Sequence, residues 1–151
     1  MDEAKKAVLR RTAEALESAG VRWVVGASLM LYLRGVLDTF RDIDLFVNEK
    51  DFAKAAEALG GFCEVRPAKQ SAVYVSAGFA CYALNGVEID LIGGYAIRHA
   101  QGVYRWEATA SETREVAGVL VPIAPLEDWH TLYKLMPGYE ERVKQIERCM
   151  G

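Results

Sequence analysis

The heptad RDIDLFV, residues 41–47, reads as a β-strand carrying two aspartates on one face. Acidic residues are depleted in strands. Residues i and i+2 of a strand face the same way, so Asp42 and Asp44 project together, with Cα atoms about 6.6 Å apart at the usual rise. Ile43, Leu45 and Val47 take the opposite face, which predicts a strand anchored to a core. Two like charges on one face repel each other unless something positive sits between them. Either the aspartates face water or they hold a cation.

A second segment repeats the arrangement. In VEIDLIG, residues 87–93, Val87, Ile89 and Leu91 form an apolar face while Glu88 and Asp90 point the other way. If this strand lies beside RDIDLFV, Asp90 joins Asp42 and Asp44. Three converging carboxylates need cations. Hard oxygen donors with open positions suit Mg²⁺ or Mn²⁺, which complete their coordination with water and substrate phosphates.

Upstream, WVVGAS, residues 23–28, runs from strand through glycine and small residues into a helix. Such a turn lets a phosphate approach backbone N–H groups at a helix start, with the Ser28 hydroxyl as a further donor. The order is therefore glycine turn, helix, loop, D-x-D strand, then a later strand with a third aspartate.

Around these segments the chain divides into ordinary elements. An amphipathic helix is expected over 3–19, with Val8, Leu9, Ala13 and Leu16 at helical spacing and Gly20 ending it. A short buried strand is expected over 21–25, then over 26–35 a turn leading into a helix closed by Gly35, and a helix after Asn48 that stops at Gly60-Gly61. Strands are expected at FCEVR, residues 62–66, and over 72–84, with a turn at 67–71 between them. Asn85-Gly86 is a hairpin signal joining the second of these to VEIDLIG. Residues 94–114 show no clear pattern, and EVAGVLVPIA, residues 115–124, reads as one late strand. Pro125 opens a helix with acidic residues in its first turn, Pro137-Gly138 breaks it, and a terminal helix follows. The expected fold class is α+β: a small mixed β-sheet with helices packed against it. It forms a single domain over 1–151 with a helical tail at about 125–149.

Composition narrows the function. With 151 residues and 52% hydrophobic content the chain can bury a real core. The net charge of −3 offers no basic excess to track a nucleic-acid backbone. No apolar run approaches the roughly 20 residues that span a bilayer, and the charged N-terminus lacks a signal-peptide pattern, so a cytoplasmic location is expected. Cys63, Cys81 and Cys149 are far apart and odd in number, which speaks for free thiols.

Taken together, VGAS, RDIDLFV and VEIDLIGG resemble the DNA-polymerase-β-type nucleotidyltransferase superfamily, which includes antibiotic nucleotidyltransferases and minimal antitoxin-type members. The family pattern is a hydrophobic residue, Gly, then Gly or Ser, about ten residues, then D-x-[DE] on a strand, with a third carboxylate on a later strand. Here Ala27 stands where the second Gly or Ser is usual. PLEDWHTLYKLMPGYEERVKQI resembles the helical tail of the small members, with Lys134 at its lysine.

The resemblance implies transfer of a nucleoside monophosphate from an NTP to an acceptor hydroxyl with Mg²⁺ or Mn²⁺. Asp42, Asp44 and Asp90 would be the catalytic and metal-holding residues, and Gly26, Ala27, Ser28 and Lys134 the nucleotide-binding ones. The acceptor is expected to be a small molecule or protein rather than nucleic acid. A short chain leaves little surface for it, so self-association or a partner chain is expected. The alternative is a catalytically degenerate module of the same fold, acting as an antitoxin or partner subunit. Haloacid-dehalogenase-type phosphatases also use D-x-D, but with a small hydroxyl residue two positions later, where this chain has Phe46.

Overall fold

The computed structural model describes residues 1–69, 71 and 73–151. RDIDLFV and VEIDLIG lie side by side at the centre of its main sheet. The elements run α1 (Glu3–Ser18), β1 (Val24–Val25), α2 (Ala27–Leu33), β2 (Ile43–Val47), a single 3-10 turn (Glu49–Asp51), α3 (Phe52–Gly60), β3 (Glu64–Arg66), β4 (Gly78–Leu84), β5 (Val87–Gly93), β6 (Ala96–His99), β7 (Gly102–Arg105), β8 (Glu112–Val116), β9 (Val119–Ile123), α4 (Leu126–Leu135) and α5 (Glu140–Met150). The sheet order is β3-β4-β5-β2-β1-β9-β8, and β6-β7 form a separate two-stranded sheet. The sheet is mixed: β2 is parallel to β5 and antiparallel to β1, which is parallel to β9. The expected α+β class holds.

The alternation in the central strands decides the layers. Ile43, Leu45, Ile89 and Leu91 are fully buried on one face. That face carries α3, because Tyr82, in register with Ile89, donates its hydroxyl to the Ala56 carbonyl at 3.1 Å. α1 packs on the same side through Val8, Leu9, Ala13 and Leu16. Each such large aliphatic side chain contributes about 1.5–3 kcal/mol on burial. Asp2 caps α1, accepting from the Lys5 N–H at 2.8 Å, and Gly20 ends the turn after it with φ 69°. The opposite face of β2 and β5 carries Asp44, Phe46, Asp90 and Ile92, covered in part by α4.

Several elements differ from the sequence reading. The first strand spans only Val24–Val25. EVAGVLVPIA is not one strand: Ala117 (φ 54°) and Gly118 (φ 82°) turn it into the β8–β9 hairpin, the conformation tight hairpins need. The unassigned stretch holds the β6–β7 hairpin and the start of β8. Asn48 makes no side-chain cap; its Oδ1 instead accepts from the Ala108 N–H at 3.0 Å. The Asn85-Gly86 hairpin forms as expected, with both residues at positive φ, but β4 begins only at Gly78. The turn expected at 67–71 includes Gln70 and the strand expected from 72 includes Ala72; both lie outside the described residues. Among those described, no helix is long and apolar enough to cross a membrane.

Candidate active site

Asp44 and Asp90 are register partners on the adjacent parallel strands β2 and β5, and Asp42 lies one residue before β2. The positive group between the acidic strands is Lys69. Its Nζ lies 3.2 Å from Asp90 Oδ2 and 3.9 Å from both Asp42 Oδ2 and Glu88 Oε2. Among the described residues, Thr12 and Asp90 are the buried polar or charged side chains. Thr12 satisfies itself on the carbonyls of Val8 and Leu9, whereas Asp90 relies on Lys69.

The electrostatics follow from burial. Asp44 is pushed well above the usual carboxylate range, first by burial, then by the charges of Asp90 and Asp42, and a hydrogen bond between the Asp44 and Asp90 carboxyls adds to the rise. Lys69 pulls the other way without cancelling this. Asp42 is raised more modestly, chiefly by burial, with Lys69 lowering it. Burial works against the charge on Lys69, but Asp90 and Asp42 outweigh it and hold the ammonium protonated.

Two adjoining cavities meet at these groups. The first, about 680 Å³, is lined by Asp42, Asp44, Asp90 and Lys69 and otherwise mainly by apolar and aromatic side chains. The second, about 560 Å³, shares Ala27, Asp42, Asp44, Tyr133 and Tyr139 with it and adds Ser28, Lys5, Arg41 and Arg142. Phe46, on the aspartate face of β2, makes edge contacts to Tyr95, Trp106 and Trp129 at ring-centroid distances of 5.1, 5.5 and 5.1 Å. The Trp106 indole donates to Asp128 at 3.0 Å, which fixes the aromatic cluster to α4.

The structure thus brings Asp42, Asp44 and Asp90 together with Ala27 and Ser28. Gly26 and Lys134 stand apart from both cavities. A Cβ on Gly26 would lie 2.6 Å from Trp129 Cζ2 and 2.8 Å from Phe46 Cε1, so two rings occupy the space over this glycine. On α4 the inward positions are Trp129, Leu132 and Tyr133, which leaves Lys134 exposed. Arg41 pairs with Asp42 at 3.7 Å, and His130 sits against Glu147 at 3.1 Å. Tyr95 lines the first cavity, while Tyr82 is held on the opposite face of the sheet.

Lys69 escapes sequence reasoning because it lies outside helix and strand, where no periodicity marks direction. Tyr133, Tyr139 and Arg142 flank the Pro137-Gly138 break, and only the fold brings them to the carboxylates.

The donor set suits a hard divalent ion in kind: carboxylate oxygens from two strands, under a like-charge pressure on Asp44 that such an ion would relieve. Among the described residues no three His, Cys, Asp or Glu side chains are closed into a ready ion-binding group. The Lys69 ammonium stands beside two of the three carboxylates.

No family model matches the chain, and no curated protein matches it either. Solved structures do. A presumed nucleotidyltransferase from Thermotoga maritima is 23% identical, with a TM-score of 0.69 over 99% of this chain and 95% of that one. ANT(2'')-Ia in complex with adenylyl-2''-tobramycin is 14% identical, with a TM-score of 0.62 over 97% of this chain and 90% of that one. The lincosamide antibiotic adenylyltransferase LnuA, bound to lincomycin, is 14% identical, with a TM-score of 0.58 over 97% of each chain. The protein has a nucleotidyltransferase-like fold.

Proposed function

We propose that this protein is a nucleotidyltransferase that moves a nucleoside monophosphate from an NTP to an acceptor hydroxyl with the help of Mg²⁺ or Mn²⁺. The observation that carries this reading is the junction itself. Asp44 and Asp90 are paired across β2 and β5, and Asp42 and Asp44 line both cavities. A donor on one side and an acceptor on the other would meet at the same carboxylates.

Asp42, Asp44 and Asp90 would hold the ion. When bound, it supplies positive charge that stabilises the attacking and leaving oxygens of the displacement. The second cavity suits the triphosphate, because Lys5, Arg41, Arg142 and the Ser28 hydroxyl line it. Asp90 lines the first cavity only, where its carboxylate can take the proton of the acceptor hydroxyl. The fold neighbours named with adenylyl-2''-tobramycin and with lincomycin favour a small-molecule acceptor. Retention of all three carboxylates speaks against the degenerate binding module.

Thermal unfolding tests this reading. Mg²⁺ with ATP or another NTP should raise the melting temperature, by the equivalent of about 2.7 kcal/mol at a hundredfold excess over Kd. Asp42→Asn and Asp44→Asn should abolish the shift. Absence of a shift with every NTP overturns the reading.

A further inference from the structure

The two cavities differ in chemistry. Lys5, Arg41 and Arg142 line the second, and the carboxylates there are the Asp42 and Asp44 it shares with the first. The first cavity has walls of Phe46, Tyr74, Phe79, Ile92, Tyr95 and Met136. Its charged lining is Asp42, Asp44, Asp90 and Lys69, all belonging to the carboxylate cluster. With the divalent ion of the reading above in place, Lys69 and that ion together balance the three carboxylates, so among the described residues no further carboxylate lines the chamber to receive an ammonium group. A polycation entering it would bury charge without a partner, which is strongly unfavourable. An apolar body would gain about 25 cal/mol for each Å² it removes from water.

We propose that the acceptor is an uncharged hydroxyl compound with a largely apolar or aromatic body, seated in the first cavity while the nucleotide occupies the second. This rests on the nucleotidyl-transfer reading above. The acceptor's hydroxyl lies at the carboxylate end. Its oxygen forms a bond to the α-phosphorus, the bond from that phosphorus to the α–β bridging oxygen breaks, pyrophosphate leaves toward the basic cavity, and the hydroxyl proton passes to Asp90. The volume of about 680 Å³ is ample for a molecule of two or three fused rings.

Binding of the neutral fluorescent dye N-phenyl-1-naphthylamine tests the proposal without turnover. The dye should saturate the protein and stay bound when Mg²⁺ and α,β-methylene-ATP are added. 2-(2-Naphthyl)ethanol should displace it at concentrations at least about tenfold below those at which tobramycin does. Phe79→Glu should weaken the dye about tenfold or more while keeping the nucleotide-induced rise in melting temperature. Arg142→Ala should weaken the nucleotide response and keep the dye. Failure of the dye to saturate, its displacement by nucleotide, or better displacement by tobramycin overturns the proposal and leaves nucleotidyl transfer standing. Dye binding with no nucleotide response overturns nucleotidyl transfer, and this inference with it.

Discussion

Asp44 is the residue at which function and stability oppose each other. Its carboxyl is raised well above the usual range by desolvation and by the neighbouring charges of Asp90 and Asp42. The native state therefore keeps a proton that the unfolded chain has already released. Wherever the native state binds more protons than the unfolded one, stability falls as pH rises. For Asp44 that window opens near the ordinary carboxylate value of about 3.9 and extends up to its raised value. Asp44→Asn removes the charge and keeps the shape. In EDTA at a pH of about 8, above the ordinary carboxylate range, it should stabilise the protein, because it removes a charge that the native state disfavours. The gain should vanish below a pH of about 3, where Asp44 is protonated in either state. Urea unfolding at the two pH values measures this, and an Asn variant less stable at both would refute it. The same variant is the one expected to lose its response to Mg²⁺ and NTP, so a stabilised fold with a silent site separates loss of binding from loss of structure.

The turn from β1 into α2 shows the same economy at the scale of an element. Gly26 is extended, with φ −134°, so its backbone places no demand for glycine; the rings of Trp129 and Phe46 do. Gly26→Ala should destabilise the protein by about 1–3 kcal/mol, the usual range for overpacking, with a change in tryptophan fluorescence as α4 moves off the sheet. Ala27 has φ 52°, a left-handed conformation that costs an L-residue about 1–2 kcal/mol. Ala27→Gly relieves this while loosening the unfolded chain by about 0.4–1 kcal/mol, so its unfolding midpoint should rise slightly above wild type. A sequence reader sees Gly-Ala-Ser and infers a tight turn, which is right, but cannot see which neighbour demands the glycine. The carboxylate strands were legible because Ile43, Leu45, Ile89 and Leu91 alternate with acids at a period of two. The β8–β9 hairpin was not, because its turn begins with alanine, and alanine carries no signal for positive φ. Lys69 and the walls of the first cavity were hidden for another reason: they come from separate strands and loops that only the sheet order brings together.

At the scale of the whole molecule, the sheet has a strong half and a weak seam. β4, β5 and β2 are joined by long ladders, seven register pairs between β4 and β5 and five between β2 and β5. β1 meets β9 at the single pair Val25–Ile123. Arg34, at the end of α2, closes this seam instead of a ladder. Its guanidinium donates to Glu112 at 2.9 Å, to the Ser111 hydroxyl at 2.8 Å and to the Ala124 carbonyl at 2.6 Å. Arg114 reaches back across the same gap to the Leu33 carbonyl, and Arg10 on α1 holds the hairpin turn at the Ala117 carbonyl, 2.8 Å away. Of Arg34's bonds, the one to the part-buried Ala124 carbonyl counts most, since a charge-assisted hydrogen bond to a partner screened from water contributes about 1.5–3 kcal/mol. Arg34→Met should therefore lower stability by about 2 kcal/mol, and the loss should be uneven. Amide exchange in β8 and β9 should accelerate strongly, while β2, β4 and β5 exchange as in wild type, because their ladders and the α1–α3 layer are untouched. The carboxylates sit in the strong half, so the variant should keep its melting response to Mg²⁺ and NTP. Uniform acceleration across all strands would show instead that the sheet opens as one unit and that Arg34 is not the clamp of its seam.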